Sequence, residues 1–365
     1  MRGEPRADQG KGVVILADFE QLARVLRGGG APARVFNIEL FVDEPVRAAL
    51  AERLGIGGPA DPEDPLAIAR RDAALFEALG YDLVRVHLPG AEFPVEIPGR
   101  QAGGRRTAQG YLVHEHAGPI QTPEDMEAYP WPDIAGLDVR PLEWAERHLP
   151  GGMKAYDLTG QFFECACWLM GYESLFVALY EEPEFVEELL SRIARVYFDY
   201  TRLLCQFGCI GVIWGADDMG FKTQTIAAPE WLRRHILPLH KEAARIAHEH
   251  GKLYFLHSCG RIDALMDELA GDVRIDAKHS FEDAVVPVEE AYDRWSDRIG
   301  IIGGVDVDFL SRATPEEVRA RVRAILEHCH GGGRYALGSG NSITTYIPLE
   351  NYLAMLVEGR RFGGG

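Results

Sequence analysis

Short apolar segments with the character of buried strands alternate with longer amphipathic helices along most of this chain, which restricts the fold to a few classes. Helices such as 183–207 and 229–250 begin with a proline in the first turn and are followed by a glycine, as helix ends require. Eight strands at a length of 365 residues predict an α/β protein with a single (β/α)8 TIM barrel. The predicted strands are Ala33–Leu40, Tyr81–Leu88, Met153–Leu158, Ile210–Gly215, Lys252–Leu256, Val273–Ala277, Arg298–Gly303 and Arg334–Leu337.

An open doubly wound sheet is the alternative architecture. The chain has neither a Gly-x-Gly-x-x-Gly motif after its first strand nor a Walker motif, which disfavours that class. Residues 1–12 lack an apolar period and are predicted to form a disordered tail, so that the barrel domain covers 13–365. Residues 92–133, rich in glycine, proline and charge, are predicted to be an insertion after strand two, with a hairpin around 107–116.

Composition excludes several classes of function. The net charge of −18 argues against a nucleic-acid partner, because binding to phosphates needs a basic surface. The sequence contains no run of 18 apolar residues, so no membrane span is expected. Met1–Asp8 lacks the apolar segment of a signal peptide, and we therefore expect a cytoplasmic protein. Six cysteines in such a chain do not indicate a disulfide framework, and most are expected to pack in the core.

The fifth predicted strand ends in a histidine and a cysteine. His257 and Cys259 are two residues apart, so both side chains point to the same face if the strand continues that far. Imidazole and thiolate ligands together suit a soft divalent metal, with zinc first. A third ligand must come from elsewhere in the chain.

Polar or ionisable residues end nearly every predicted strand, which is where a barrel carries its chemistry. Each one alone also has a structural explanation, such as an aspartate that caps a helix, but together they predict a polar pocket. Their mixture fits metal-assisted activation of a nucleophile or general acid–base catalysis. They are Glu39, Arg85, His87, Asp157, Gln161, Glu164, Asp217, Asp218, His257, Cys259, Asp276, Lys278, His279, Ser280, Asp306 and Asn341.

A series of short motifs resembles the uroporphyrinogen decarboxylase superfamily, and within it the corrinoid-linked methyltransferase branch rather than the porphyrin decarboxylase proper. The resemblance covers the chain from about residue 18 to the C-terminus and implies a (β/α)8 barrel. The motifs are Gly118–Asp125, Gly160–Glu164 with Gly171, Gly215–Asp218, His257–Gly260, Gly303–Asp306, Gly338–Asn341 and Ile347–Asn351.

Two positions depart from the family pattern. Decarboxylases of the family carry an N-terminal arginine-rich motif that binds substrate carboxylates, whereas the stretch 33–40 has Glu39 where a cation is needed, which disfavours a porphyrin substrate. Methyltransferases of the superfamily bind zinc through His-x-Cys and a distant cysteine after the last strand. His257 and Cys259 match the first two ligands, but the third position is occupied by Asn341.

The resemblance therefore implies a methyltransferase-like enzyme that moves a methyl group between a small methylated donor, or a corrinoid (cobalamin) carried by a partner protein, and a thiol or similar acceptor. Zinc is expected on His257, Cys259 and Asp306, with Glu164, His279 or water as other candidates to complete the site. Catalytic roles are expected for His257, Asp217, Glu164 and His279, and substrate-binding roles for Arg85, His87, Lys278, Asn341 and Tyr346.

Two alternatives remain open from the sequence. Arg85, His87 and Lys278 could hold a carboxylate, which would suit a decarboxylase or another lyase that acts on a small non-porphyrin acid. The third interpretation is a non-catalytic accessory protein that binds a corrinoid or a metal, and it is motivated by Asn341. The sequence also leaves open whether the protein is a homodimer.

Overall fold

A parallel sheet of seven strands forms the centre of the computed structural model, which describes residues 16–59, 61–95 and 116–363 together with the backbone of 105–107 and 110–112. The sheet order is β1-β4-β5-β6-β7-β8-β9, and β2 and β3 pair with each other as an antiparallel hairpin. The strands are β1 (Leu83–Arg85), β2 (Arg105–Thr107), β3 (Gly110–Leu112), β4 (Lys154–Thr159), β5 (Ile210–Ala216), β6 (Leu253–His257), β7 (Ala277–His279), β8 (Gly300–Ile302) and β9 (Tyr335–Ala336).

Helices connect successive strands of this sheet, as parallel pairing requires. They are α1 (Phe19–Leu26), α2 (Glu44–Arg53), α3 (Pro65–Ala78), α4 (Pro123–Ala128), α5 (Arg140–His148), α6 (Phe162–Met170), α7 (Tyr172–Glu181), α8 (Pro183–Cys205), α9 (Pro229–His235), α10 (Leu237–Glu249), α11 (Met266–Glu268), α12 (Val288–Trp295), α13 (Val307–Arg312), α14 (Pro315–Cys329) and α15 (Leu349–Phe362). Short 3₁₀ turns at Ile134–Gly136 and Asp263–Leu265 and a π-helical turn at Leu269–Val273 complete the regular structure of the described residues.

The predicted first strand, 33–40, is an extended segment with a single parallel bridge from Asn37 to Leu337. The amide of Ile38 donates to the carbonyl of Leu337 at 2.8 Å, and the amide of Leu337 donates to the carbonyl of Phe36 at the same distance. An eighth segment therefore continues the sheet beyond β9, and the α/β fold with its parallel sheet is consistent with a TIM-like architecture.

Two predicted boundaries are wrong. The predicted helix 229–250 is two helices, α9 and α10, because Pro238 in the first turn of α10 has no amide hydrogen to continue the helical bonding. The predicted strand 273–277 instead begins at Ala277, since a π-helical turn extends to Val273 and Arg274 adopts a left-handed φ of 64°. The predicted hairpin near 107–116 lies at 105–112.

Parts of the predicted domain organisation cannot be compared with the structure. The tail 1–12 and the segments 96–104, 108–109 and 113–115 lie outside the described residues. The full extent of the insertion at 92–133 therefore stays a prediction.

Strand alternation divides the core into two apolar clusters. Val212, Trp214, Leu253 and Phe255 belong to an inner cluster that α1 covers, whereas Ile213 and other intervening residues pack outward against the surrounding helices. Since successive strand residues face opposite sides, His257 continues the inner series of Leu253 and Phe255. The sheet thus directs His257 toward the inside at its carboxyl end.

Within the described residues, no single helix has both the length and the apolar character needed to cross a membrane. The bent pair of α6 and α7, which meet at 100°, reaches the required length and composition only when the two helices are taken together.

Candidate functional site

Asp218, His257 and Cys259 bring three potential metal ligands together at the carboxyl ends of β5 and β6. The Nε2 atom of His257 lies 3.4 Å from the Cys259 sulfur and 3.4 Å from Oδ1 of Asp218. All three ligand atoms lie within 4.8 Å of one another, and no other His, Cys, Asp or Glu group of this kind occurs among the described residues. His257 is buried, whereas Asp218 and Cys259 are partly exposed, so the cluster can be reached from outside.

A backbone hydrogen bond holds Asp218 and Cys259 next to each other in this cluster. The amide of Cys259 donates to Oδ1 of Asp218 at 2.7 Å, which ties the segment after β6 to the segment after β5. Burial opposes ionisation of Asp218, but the hydrogen bond and the charge that His257 provides when its imidazole is protonated lower the pKa of the Asp218 carboxyl below the ordinary value. Asp218 is therefore an anion at neutral pH.

The Cys259 sulfur is surrounded by hydrogen-bond donors. The amide nitrogen Nδ2 of Asn341 lies 3.3 Å away, and the hydroxyl of Ser280 donates to the sulfur at 3.6 Å. Burial, together with the negative charge of Asp218, raises the pKa of the thiol well above its usual value. A divalent cation at this position would reverse that shift, because coordination stabilises the thiolate.

His279 lies behind His257, away from the cluster. Its Nδ1 atom is 2.8 Å from Nδ1 of His257, and its Nε2 atom is 3.2 Å from the carbonyl oxygen of Ser339. The side chain is fully buried, and burial together with the charges of His257 and Lys278 lowers its pKa well below the usual value. Both ring nitrogens of His279 therefore already have hydrogen-bond partners within the protein.

Asp217, the neighbour of Asp218, points the other way. Its carboxylate accepts hydrogen bonds from the amides of Phe163 and Glu164, at 3.1 and 2.8 Å, and lies 3.0 Å from Nε2 of His240. The side chain is fully buried. Asp217 therefore anchors the beginning of α6 to the sheet and does not join the cluster, and its catalytic role stays a prediction.

Glu164 is the residue that this anchor positions. It is partly exposed in the first turn of α6, with Nε2 of Gln161 3.4 Å from its carboxyl. Burial and the negative charges of Asp218 and Asp217 raise the pKa of Glu164 well above its usual value. The Glu164 carboxyl is thus harder to ionise than an ordinary glutamate, because it lies in the electrostatic field of Asp217 and Asp218.

Arg85 and His87, predicted to bind substrate, are paired with acids at the end of β1. Asp157 accepts a bond from Nε of Arg85 at 2.7 Å and lies 3.2 Å from Nδ1 of His87, whose Nε2 is 2.7 Å from Glu92. Burial opposes ionisation of Asp157, but the charges of Arg85 and His87 hold its pKa well below the usual range. Both cations thus already have carboxylate partners.

Three other predicted site residues lie outside the cluster. The Lys278 ammonium is buried and donates to the carbonyls of Ser258, His279 and Ser280 at 3.2, 3.1 and 2.6 Å, and burial lowers its pKa to about 8. Asp306 caps α13 by accepting from the amides of Asp308 and Phe309, and it also accepts from the amide of Asp283. Tyr346 is exposed. The structure thus places Lys278 and Asp306 in backbone-binding positions.

Two residues near the cluster were not assigned a role from the sequence. Glu39 is buried and accepts from the amide and hydroxyl of Ser339, at 3.0 and 2.5 Å, and burial raises its pKa to about 8 against the effect of these bonds. Asp218 appears in the sequence as a polar strand end and not as a ligand. Strand alternation offers a signal, because a chain that stays extended just beyond β5 turns Asp217 and Asp218 to opposite sides.

The family model described as uroporphyrinogen decarboxylase (URO-D) matches residues 117–362. Among solved structures, a methyltransferase from Methanosarcina mazei has a similar fold at a TM-score of 0.67 and 18% identity, covering 94% of this chain and 98% of that one. A B12-independent methionine synthase from Shewanella sp. W3-18-1 matches at a TM-score of 0.50 and 13% identity, covering 96% and 99%. No curated protein matches. Since the family model covers more than half of the sequence, the chain belongs to the uroporphyrinogen decarboxylase family.

Proposed function

We propose that this protein is a zinc-dependent methyltransferase in which Asp218, His257 and Cys259 hold the metal. The observation that carries the proposal is the convergence of a carboxylate, an imidazole and a thiol at the ends of two adjacent strands. Three protein ligands and one open position are the usual arrangement of a catalytic zinc site. The partial exposure of Asp218 and Cys259 leaves room for that open position.

The spacing of the donor atoms fits a tetrahedral ion. Zinc–nitrogen, zinc–oxygen and zinc–sulfur bonds of about 2.0–2.3 Å imply ligand-to-ligand separations of about 3.3–3.8 Å. The separations from His257 Nε2 to the Cys259 sulfur and to the Asp218 carboxylate are both 3.4 Å. Asp218 thus replaces Asp306 as the proposed third ligand, because Asp306 is committed to backbone amides.

When bound, zinc would supply the positive charge that keeps an acceptor thiol deprotonated at neutral pH. Asn341 and Ser280 donate to the Cys259 sulfur and so fix its position. The raised pKa of Glu164 favours its protonated form, which would donate a proton to a leaving or product group. Asp217 keeps Glu164 in place by anchoring the start of α6.

Two observations support methyl transfer as the proposed reaction. They are the family match and the fold neighbours, which are named as a methyltransferase and a methionine synthase. The proposed partners are a small methylated donor or a corrinoid carried on a partner protein, and a thiol acceptor. We also propose a cytoplasmic protein with a single (β/α)8 domain over 13–365, and the parallel sheet of seven strands supports the barrel.

Metal analysis and a methyl-transfer assay test the proposal together. Purified protein is expected to hold about one zinc ion per chain and to demethylate methylcobalamin in the presence of a low-molecular-weight thiol. His257→Ala should abolish both properties, whereas His148→Ala, a change on the outer helix α5, should abolish neither. Unchanged zinc content and turnover in His257→Ala would refute the metal centre.

A decarboxylase or lyase that acts on a small acid is the second candidate. The family description and the raised pKa of Glu164 favour it, since a neutral carboxyl can protonate a product carbanion. The pairing of Arg85 and His87 with Asp157 and Glu92 weakens the predicted carboxylate-binding site. Release of carbon dioxide from small organic acids that is lost in Glu164→Gln, without any methylcobalamin turnover, would favour this candidate.

A further inference from the structure

A chain of contacts leads from the proposed metal ligand His257 back into the core. Nδ1 of His257 lies 2.8 Å from Nδ1 of His279, and Nε2 of His279 lies 3.2 Å from the carbonyl oxygen of Ser339. A carbonyl oxygen can only accept a hydrogen bond, so Nε2 of His279 must carry a proton. In a neutral imidazole the other nitrogen then has no proton and is an acceptor.

This polarity determines where the proton of His257 resides. Because Nδ1 of His279 accepts, Nδ1 of His257 must donate, and in the neutral imidazole of His257 the Nε2 atom is left with a free lone pair. That lone pair faces the Cys259 sulfur and the Asp218 carboxylate, each at 3.4 Å. The opposite tautomer of His257 would direct an N–H bond at the position that the metal is proposed to occupy.

We propose that His279 is a positioning residue, which fixes the tautomer and the ring orientation of His257 so that Nε2 is ready to bind a metal before the metal arrives. The proposal rests on the proposed function for the metal itself, but the tautomer is a property of the metal-free protein. Outer hydrogen-bond partners of this kind orient ligating histidines and strengthen metal binding.

The surroundings of His279 hold it in this role. Glu39 accepts from both the amide and the hydroxyl of Ser339, which fixes the direction of the Ser339 carbonyl. Gly303 adopts a φ of 85°, and a β-carbon there would lie 2.3 Å from that carbonyl oxygen and 3.1 Å from Nε2 of His279. Trp214 packs edge-on against the imidazole at 5.6 Å between ring centroids. The acceptor and the ring are thus both held by packing.

Nitrogen-15 chemical shifts of histidine distinguish protonated from unprotonated ring nitrogens and provide the direct test. In metal-free wild-type protein at mildly alkaline pH, we expect His257 to be a single tautomer with its proton on Nδ1. A proton on Nε2 of His257 would overturn the proposal, and this measurement needs no variant and does not depend on metal binding. A protein that takes up no metal would therefore refute the proposed function while leaving this result interpretable.

Two variants separate the hydrogen bonds of His279 from its bulk. His279→Phe keeps a ring but removes both nitrogens, and we expect mixed His257 tautomers and a fall of about 10–100-fold in affinity for zinc and cobalt(II). His279→Gln retains one acceptor and one donor and should recover most of the affinity and the single tautomer. Wild-type tautomer and cobalt(II) affinity in a folded His279→Phe protein would overturn the proposal. If His279→Phe fails to fold, the wild-type and His279→Gln spectra still decide it.

Discussion

The side-chain amide of Asn341 lies 3.3 Å from the sulfur of Cys259, with its nitrogen directed at the sulfur. Methyltransferases that the chain resembles carry a zinc-binding cysteine in the corresponding glycine-rich segment. In this protein the residue at that position, Asn341, contacts Cys259 through a hydrogen bond, while Asp218 provides the third potential ligand of the cluster. In the proposed zinc site, Asp218 would take the place of that cysteine ligand, and Asn341 keeps the segment after β9 in contact with Cys259.

Asn341→Cys should strengthen zinc binding. A thiol at this position would lie next to the Cys259 sulfur and could supply a further soft ligand, so we expect the zinc dissociation constant to fall by roughly 10-fold or more. Competition with a chromophoric chelator measures the change. Asn341→Ser is the matched control, because it shortens the side chain without adding a ligand of comparable softness. An equal or weaker affinity in Asn341→Cys would contradict the geometry argued above.

Asp218→Ala and Asp306→Ala should affect different properties of the protein, the first its affinity for zinc and the second its stability. Loss of the Asp218 carboxylate removes a proposed ligand, so zinc affinity should fall by more than about 10-fold, since loss of outer-shell partners alone has effects of that size. Loss of Asp306 removes the cap of α13 and should reduce the free energy of unfolding by about 1 kcal/mol with zinc affinity unchanged. Competition with the same chelator measures the zinc affinity of both variants. A loss of affinity in Asp306→Ala but not in Asp218→Ala would restore Asp306 as the proposed ligand.

The sequence predicts where the site lies in the fold better than it predicts which residues form the site. Parallel strands bring their carboxyl ends to one edge, so His257 and Cys259 could be placed there from their spacing alone. Whether Asp217 or Asp218 joins them depends on where β5 ends and which way each residue then faces. In the structure Asp217 binds the first amides of α6 and His240, whereas Asp218 binds the amide of Cys259.

Lys278 and Asp306 bind backbone groups in the structure, which a reading of residue types does not anticipate. Lys278 and Asp306 have the charge expected of a substrate or metal site, but their partners are carbonyls and amides of nearby loops. Such partners are set by the path of the chain after each strand, and no residue pattern specifies that path. The single long helix predicted over 229–250 failed for a different reason, because Pro238 interrupts the hydrogen bonds of an otherwise continuous apolar period.

Lys278→Met should destabilise the fold without weakening substrate binding. The variant leaves three carbonyl oxygens without their ammonium donor, for which we expect a loss of roughly 1–3 kcal/mol in the free energy of unfolding. Lys241→Met on the exposed face of α10 is the control and should change stability by less than about 0.5 kcal/mol. Urea unfolding measures both variants. A stable Lys278→Met protein with a greatly raised KM would instead support the substrate-binding role predicted from the sequence.

Glu39 should make the stability of the protein depend on pH. Burial raises the pKa of its carboxyl to about 8, whereas the same group in the unfolded chain ionises near 4.5. Below pH 4.5 the group is protonated in both states and its contribution is fully present. As pH rises from there toward 8, the unfolded chain releases a proton that the folded chain retains, so stability falls by up to about 1.4 kcal/mol per pH unit.

Glu39→Gln isolates this contribution, because glutamine retains an acceptor for the Ser339 amide but does not titrate. The free energy of unfolding of the variant, measured in urea at pH 5 and at pH 8, should increase relative to that of the wild type between the two values. A difference that stays constant would mean that Glu39 is ionised in the folded protein. Since Glu39 holds Ser339, and the carbonyl of Ser339 is the acceptor for His279, ionisation of Glu39 would place a buried charge behind the proposed metal ligand. The neutral carboxyl is the state that leaves the contacts from Ser339 to His257 undisturbed.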